Sequence, residues 1–227
     1  MSNNKSLYVA TNNKDKFNEI KAILRGVVEV YSVYDAVDSH IIVYEDGMTF
    51  EENASIKASA FSKIVDLPVI ADDSGLCVDI LNGRPGVYSA RYAGQSGLQT
   101  FENLSFQQAS QPSGGGFSGS QFVNDENNIN KLLNELEGID LERRKAHFIC
   151  VIALAYKGKA IKCFKGVVDG FIGFARAGSN GFGYDPVFYI DMNKSFAMLS
   201  KDEKNRISHR YKALMALRTY LEENDVL

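Results

Sequence analysis

Two aspartates stand side by side at Asp72 and Asp73, in the run Ala71-Asp72-Asp73-Ser74-Gly75 that follows the apolar stretch Leu67-Pro68-Val69-Ile70. Adjacent carboxylates repel each other, and the arrangement is costly unless water, hydrogen bonds or a cation answers the charge. Hard oxygen donors suit Mg²⁺, which commonly takes one or two carboxylates and fills its shell with water and phosphate oxygens. If the pair stays extended, its side chains point in opposite directions, so that one faces a cleft and the other does something else. The competing explanation is an Asx-type turn. Further carboxylates stand upstream at Glu45, Asp46, Glu51 and Glu52. Glu52 is explained as the last member of a capping box, Thr49-x-x-Glu52. Glu45 precedes Gly47 in a loop and has no such explanation, which favours it as the partner carboxylate.

Three further stretches carry groups suited to an anionic, aromatic ligand. Thr11-Asn12-Asn13-Lys14-Asp15-Lys16 opens a helix, where free backbone N–H groups, small polar side chains and two lysines suit a phosphate. A helix cap with solvated lysines accounts for it equally well, and the Walker pattern is absent. Lys57, one turn beyond Asn53, either faces the same cleft or is a surface lysine. In Gly181-Phe182-Gly183-Tyr184-Asp185-Pro186, two glycines around an aromatic permit close approach to a flat ligand, on which Phe182 could stack; a glycine-rich turn is the alternative. Near the C-terminus, Ser208 is a fair N-cap, which puts His209 and Arg210 in the first turn of a helix. Cations there oppose the helix dipole, so an anionic or acceptor-rich partner should compensate. A Ser–His–Asp arrangement through Ser74 and His209 lacks the G-x-S-x-G elbow and is set aside.

The elements that must hold these groups follow from periodicity. A strand over 6–10 leads into a helix from Lys14 to Leu24 with Phe17, Ile20 and Leu24 on one face. VVEVYSV (27–33) reads as a strand, an Ala-rich helix runs from Thr49 to about Ile64, and a short strand is expected at 68–71. Residues 76–92 suggest short strands and turns, and 126–137 an amphipathic helix. AHFICVIALAY (146–156) is apolar on both faces and reads as a central strand, paired with 159–172 across the Lys157-Gly158 turn. A helix from Ser208 to Glu223 ends the pattern. Over 95–124 more than half of the residues are Gly, Ser or Gln and only Glu102 is charged. That stretch reads as a loop or lid inserted in an otherwise single α/β unit spanning 1–227.

Bulk properties narrow the function further. The chain of 227 residues is 45% hydrophobic and 23% charged, with a formal charge of −3, which argues against a sequence-independent grip on nucleic acid. No apolar run reaches the length of a membrane span, and the N-terminus lacks a signal-peptide core. Cys77, Cys150 and Cys163 show no CxxC pairing and read as reduced core thiols of a cytoplasmic protein. His40, His147 and His209 lack the spacing of a zinc site.

With these stretches in view, the chain resembles the inosine triphosphate pyrophosphatase (Ham1-like) family. The matching segments are ATNNKDKFNEI, GMTFEENASIKA, ADDSGLCVDILNGRPGVYSARYAG, GFGYDPVF and LSKDEKNRISHRYKAL, which together cover nearly the whole chain except 95–124. The resemblance implies Mg²⁺-dependent hydrolysis of deaminated purine nucleoside triphosphates (ITP, dITP, XTP) to the monophosphate and pyrophosphate. It also implies an elongated α/β fold of mixed sheet and flanking helices, with two lobes around a central cleft, paired as a homodimer. Carried onto this sequence, Thr11, Asn12, Asn13, Lys14, Asp15, Lys16 and Lys57 would hold the triphosphate. Asp73 would be the catalytic carboxylate and, with Glu45, a metal ligand, while Ser74 would contact substrate. Phe182, Gly183, Tyr184, Asp185, Lys204, His209 and Arg210 would form the base and sugar pocket. Asn12 stands where the family often has glycine, and 95–124 is longer than the usual connection.

Overall fold

The structure, a computed structural model, describes residues 5–37, 41, 43–65, 67–94 and 117–224; of Asp15 and residues 117–124 it describes the backbone alone. In chain order the elements are β1 (Ser6–Val9), α1 (Lys14–Leu24), β2 (Glu29–Ser32), α2 (Phe50–Ser62), β3 (Val69–Val78), α3 (Phe117–Glu135), β4 (Lys145–Tyr156), β5 (Lys159–Ile172), β6 (Phe188–Asp191), β7 (Lys194–Ser195), α4 (Lys201–Ile207) and α5 (His209–Glu223). The seven strands form one mixed sheet in the order β2-β1-β3-β4-β5-β6-β7. β1 runs parallel to β2 and β3, and every later pairing is antiparallel.

Local chemistry explains the element ends. Asn13 caps α1 by accepting from the Lys16 N–H. Thr49 and Glu52 close the expected capping box of α2, each side chain satisfying the other's backbone amide. The same device recurs at Ser200 and Glu203, where it starts α4. That helix was not anticipated, although its S-x-x-E signature is plain in the sequence. Ser208 both ends α4 and caps α5, and β4 and β5 join through the expected hairpin at Lys157-Gly158.

Two expectations need correction. The strand expected at 68–71 continues to Val78, because β4 pairs with it residue for residue from Val69↔Ala155 to Val78↔Ala146. A partner strand thus overrides the low strand propensity of Asp-Asp-Ser-Gly. The loop expected over 95–124 lies outside the described residues up to 116, and from Phe117 on the backbone is already helical.

Alternation along β3 decides where its side chains go. Ile70 belongs to the core packed under α1 and α5, with Leu7, Ile20, Leu214 and Leu217. Val69 and Ala71 face the other way, into a core under α2 with Phe50, Ala54, Ala58 and Phe61. A third core lies toward the far end of β3–β5, where Ile129 and Leu132 of α3, with Leu136 just beyond it, meet Phe148, Phe188 and Phe196. Each fully buried side chain of this size contributes about 1.5–3 kcal/mol. The long β4–β5 hairpin spans all three cores, and the doublet Asp72-Asp73 lies where they meet. The α/β class with a mixed sheet and flanking helices is as expected. Among the described residues no helix is long and apolar enough to cross a membrane, and the three cysteines are free thiols.

Candidate active site

β1 ends opposite Ile70, as the Val9↔Ile70 pairing shows, so Asp72 and Asp73 sit on β3 just past the end of its parallel neighbour. Ligands of α/β sheets collect at such carboxyl ends. The alternation of β3 sends Asp72 to the α1–α5 face and Asp73 to the α2 face, as their contacts bear out. The Asx-turn alternative is excluded, since both residues are in the ladder.

Asp72 is surrounded by cations. Lys16 Nζ donates to its Oδ2 at 2.8 Å, and Arg210 Nε lies 3.7 Å from the same oxygen. Lys57 Nζ donates to the Asp72 backbone carbonyl at 3.0 Å. Burial alone would raise this carboxyl, but Lys16, Arg210 and Lys57 outweigh it and hold the group well below the usual carboxylate range. Asp72 is thus a fixed anion that orients two basic side chains.

Asp73 is the reverse case. Its Oδ1 accepts from the Ser74 N–H at 2.9 Å, while Oδ2 is buried without a hydrogen-bond partner. Burial, with the Glu45 carboxylate adding to it, pushes the group up to about 6 against the opposing pull of Asn53, Lys57 and the Ser74 amide. Glu45 itself is held by Lys57 at 3.0 Å. Burial disfavours the Lys57 ammonium, yet Asp72 and Glu45 raise its pKa above the ordinary value. Lys57 therefore ties Glu45 to the backbone of the doublet.

Glu45 and Asp73 offer oxygen donors only, and Asp73 Oδ2 has capacity to spare. That donor set fits a hard divalent cation completed by water and phosphate oxygens. It does not make an all-protein cage: among the described residues no three His, Cys, Asp or Glu side chains converge.

Arg210 joins this centre to a second group. Its Nη1 pairs with Glu19 at 3.3 Å, and it is buried, as is its neighbour His209. His209 stacks on Phe148 at 4.9 Å with 14° between the rings. Burial and the cations Arg210, Lys204 and Lys16 keep His209 well below its usual range, so the imidazole is neutral. α5 can bring both residues this close to the sheet because Gly166 of β5 lacks a side chain: a Cβ there would collide with the His209 carbonyl oxygen and the Ala213 nitrogen.

The Gly181–Pro186 turn completes the site. Asp185 is buried, ion-pairs with Lys204 and accepts from the Phe182 N–H at 2.9 Å. Burial raises its carboxyl against the opposing charge of Lys204. Phe182 is 53% exposed, with Lys204 Nζ 4.7 Å from its ring centroid. It is thus an aromatic face displayed beside a lysine. Tyr184 turns inward and donates to the Ser89 carbonyl at 2.9 Å.

In the first stretch, Lys16 points inward to Asp72, whereas Asn12, Asn13 and Lys14 are exposed. Thr11 Oγ1 accepts from the Asn13 N–H at 3.3 Å. The Asp15 side chain lies outside the described residues. Ser74 is half-buried beside Asp73. The structure therefore gathers Lys16, Glu45, Lys57, Asp72, Asp73 and Arg210 around one centre, and Phe182, Asp185, Lys204 and His209 around its neighbour.

Sequence reasoning did not single out Glu19 or Asn53. Glu19 is three positions after Lys16 in α1 and Asn53 four before Lys57 in α2, so each shares a helix face with a residue that was selected. That spacing was the available signal. The buried side-chain nitrogen and oxygen atoms without a hydrogen-bond partner among the described residues are Glu19 Oε1, Asp73 Oδ2, His209 Nδ1 and Arg210 Nε. Leaving such an atom unsatisfied costs about 1–3 kcal/mol, and all four belong to this site. Their concentration here marks a place built for a polar ligand.

Comparison with known proteins gives a consistent result. The model of the Ham1 family matches residues 7–112 and 115–220. A Staphylococcus epidermidis protein named dITP/XTP pyrophosphatase is 42% identical over 95% of this chain and 96% of its own length. A Geobacillus kaustophilus protein of the same name is 44% identical, over 96% of this chain and 95% of its own. Among solved structures, the Staphylococcus aureus Ham1 protein superposes with a TM-score of 0.77 at 40% identity, covering 96% of this chain and 99% of that one. A HAM1 protein from Coxiella burnetii gives 0.78 at 36% identity, covering 97% and 100%.

Proposed function

The chain belongs to the Ham1 family, and from that premise we propose that it hydrolyses non-standard purine nucleoside triphosphates (dITP, XTP and ITP) to the monophosphate and pyrophosphate. The observation that carries this reading is Asp73: a carboxylate raised to about 6 by burial, with an unpartnered buried oxygen, set beside Lys57 and Glu45. A carboxylate with a raised pKa is a better proton acceptor near neutral pH than an ordinary aspartate.

Phosphoryl transfer is chiefly positioning and charge stabilisation. Lys16 and Lys57 hold the triphosphate by charge, the first steered by Asp72 and the second by Asp72 and Glu45. Asp73 orients the attacking water toward the α-phosphorus and takes up its proton. Glu45 and Asp73 would hold Mg²⁺, which when bound neutralises charge on the triphosphate oxygens. Phe182 offers a stacking surface for the base. Hypoxanthine and xanthine present a 6-oxo acceptor where adenine presents an amino donor, so donors on this side discriminate between them. His209 or Arg210 supplies such a donor within a base and sugar pocket formed with Phe182 to Asp185 and Lys204, while Thr11 to Lys16 lie with the triphosphate and Ser74 contacts substrate.

The same reading takes 1–227 as one Ham1-like domain with an insertion at about 95–124, acting in the cytoplasm as a homodimer. Its test is a substrate panel. Purified protein with Mg²⁺ should release pyrophosphate from ITP, dITP and XTP far faster than from ATP, and comparable rates on all four would contradict it.

A further inference from the structure

The loop that displays Phe182 is held from two sides. Within the loop, Asp185 Oδ2 accepts from the Phe182 N–H at 2.9 Å. From outside it, Asp125 on α3 accepts from the very next amide, Gly183 N–H, through Oδ2 at 2.8 Å. Gly183 has φ +58°, a left-handed conformation that the loop needs in order to turn Phe182 outward. An amide held in that conformation by a carboxylate has little freedom to change it.

α3 grips the preceding segment as well. Arg176 Nη2 pairs with Glu126 at 2.9 Å and with Asn130 Oδ1 at 2.7 Å. Deeper in the same helix, Asn128 Oδ1 accepts from the Ala93 N–H at 2.6 Å, and its amide donates to the Ser89 and Ala90 carbonyls. Ser89 also receives the Tyr184 hydroxyl. One helix thus ties together Gly183, Arg176 and the segment after β3. Asp125 is only partly buried, and its carboxyl is raised by burial and by the nearby Asp185 and Glu126 carboxylates despite the Gly183 hydrogen bond. Three acidic groups close together oppose one another, so Asp125 holds the Gly183 amide against an electrostatic cost that this hydrogen bond only partly offsets.

We propose that Asp125 is a positioning residue for base recognition, holding the Gly183 amide so that Phe182 keeps the stance in which it meets the purine. The inference rests on the proposed nucleotide hydrolysis. Asp125 touches no reacting group in this account; it acts through the loop. The consequence is selective: binding of the base should suffer, whereas binding of the triphosphate at Lys16 and Lys57 should not.

The experiment compares wild type, Asp125→Ala and Asp125→Asn in full-length protein. It measures kcat and KM for ITP and ATP, competitive inhibition by inorganic tripolyphosphate, and thermal unfolding. Asp125→Ala should raise KM for ITP roughly tenfold, as expected for a lost hydrogen bond to a charged acceptor. Its kcat and its inhibition by tripolyphosphate should stay within about twofold of wild type on the same footing, since chemistry and phosphate grip are untouched. The preference for ITP over ATP should narrow. Asp125→Asn keeps an acceptor oxygen and should restore most of the ITP KM, which also answers the case in which the alanine variant folds poorly. An unchanged KM and base preference in Asp125→Ala overturns the proposal while leaving the hydrolysis reading intact. So does an equal loss of ITP and tripolyphosphate binding, or a failure of Asp125→Asn to rescue. A wild type that releases no pyrophosphate from ITP overturns both.

Discussion

Asp72 and Asp73 are adjacent in β3, point to opposite faces of the sheet, and shift in opposite directions. Asp72 meets Lys16 at 2.8 Å and Arg210 at 3.7 Å and is held ionised. Asp73 keeps a buried oxygen without a partner and is raised to about 6. The alternation of a strand, together with the different helices on each face, turns one sequence doublet into a fixed anion and a carboxylate whose pKa is raised.

Asp72→Asn removes the counter-charge of the buried Arg210 and the half-buried Lys16. Breaking a buried ion pair from one side costs about 3–5 kcal/mol, and urea unfolding at pH 7 should show a loss of that size. The pH dependence follows from the sign of the shift. A depressed carboxyl stabilises the fold above its unfolded pKa, and that stabilisation is lost as pH falls through the folded value. The gap between wild type and Asp72→Asn should therefore close in strong acid.

Asp73→Asn should do the opposite to stability while abolishing turnover. A carboxyl raised from 3.8 to about 6 binds a proton more tightly in the folded state, so it lowers stability as pH rises through that window. In EDTA at pH 7 the asparagine variant should be more stable than wild type by about 1–3 kcal/mol. The advantage should vanish below the unfolded pKa, near pH 4. A variant less stable than wild type at pH 7 would contradict the burial of an unpartnered carboxylate.

Gly166→Ala tests how α5 is docked. The added methyl collides with backbone atoms of His209 and Ala213, which cannot move as a side-chain tip can. Overpacking of this kind typically costs 1–3 kcal/mol. The midpoint of thermal unfolding should fall, and kcat/KM for ITP should fall with it because His209 and Arg210 are displaced. A variant with wild-type values for both would show that the α5 terminus is not constrained at this point.

Phe182→Ala removes an exposed ring from the proposed base side. Stacking of a base on an aromatic side chain is worth about 1–3 kcal/mol, so KM for ITP should rise by roughly five- to a hundredfold. Because the ring is 53% exposed, thermal stability should hardly change. A KM equal to that of wild type would remove Phe182 from the base site.

Much of this was legible in the sequence wherever the signal is local. The capping box at Thr49 and Glu52, the Lys157-Gly158 hairpin and the Ser208 cap that places His209 and Arg210 each depend on a few neighbouring residues. The opposite facing of Asp72 and Asp73 follows from strand geometry alone. Length was not legible for β3, because Asp-Asp-Ser-Gly looks like a strand end until β4 is known to pair with it. Nor were the partners of Arg210: Glu19 is 191 positions away, and no local pattern connects them. The pKa of Asp73 depends on burial created by α2 and on Glu45, which only the assembled fold brings close.

The central claim is attack on the α-phosphorus at a site organised by Asp73, and isotope tracing tests it most directly. ITP would be turned over with Mg²⁺ in water enriched in ¹⁸O, and the label located in the products. IMP carrying the label, with unlabelled pyrophosphate in equal amount and no turnover in EDTA or in Asp73→Asn, is the predicted result. Label in pyrophosphate, or IDP with labelled orthophosphate, would place the attack on another phosphorus and contradict the account.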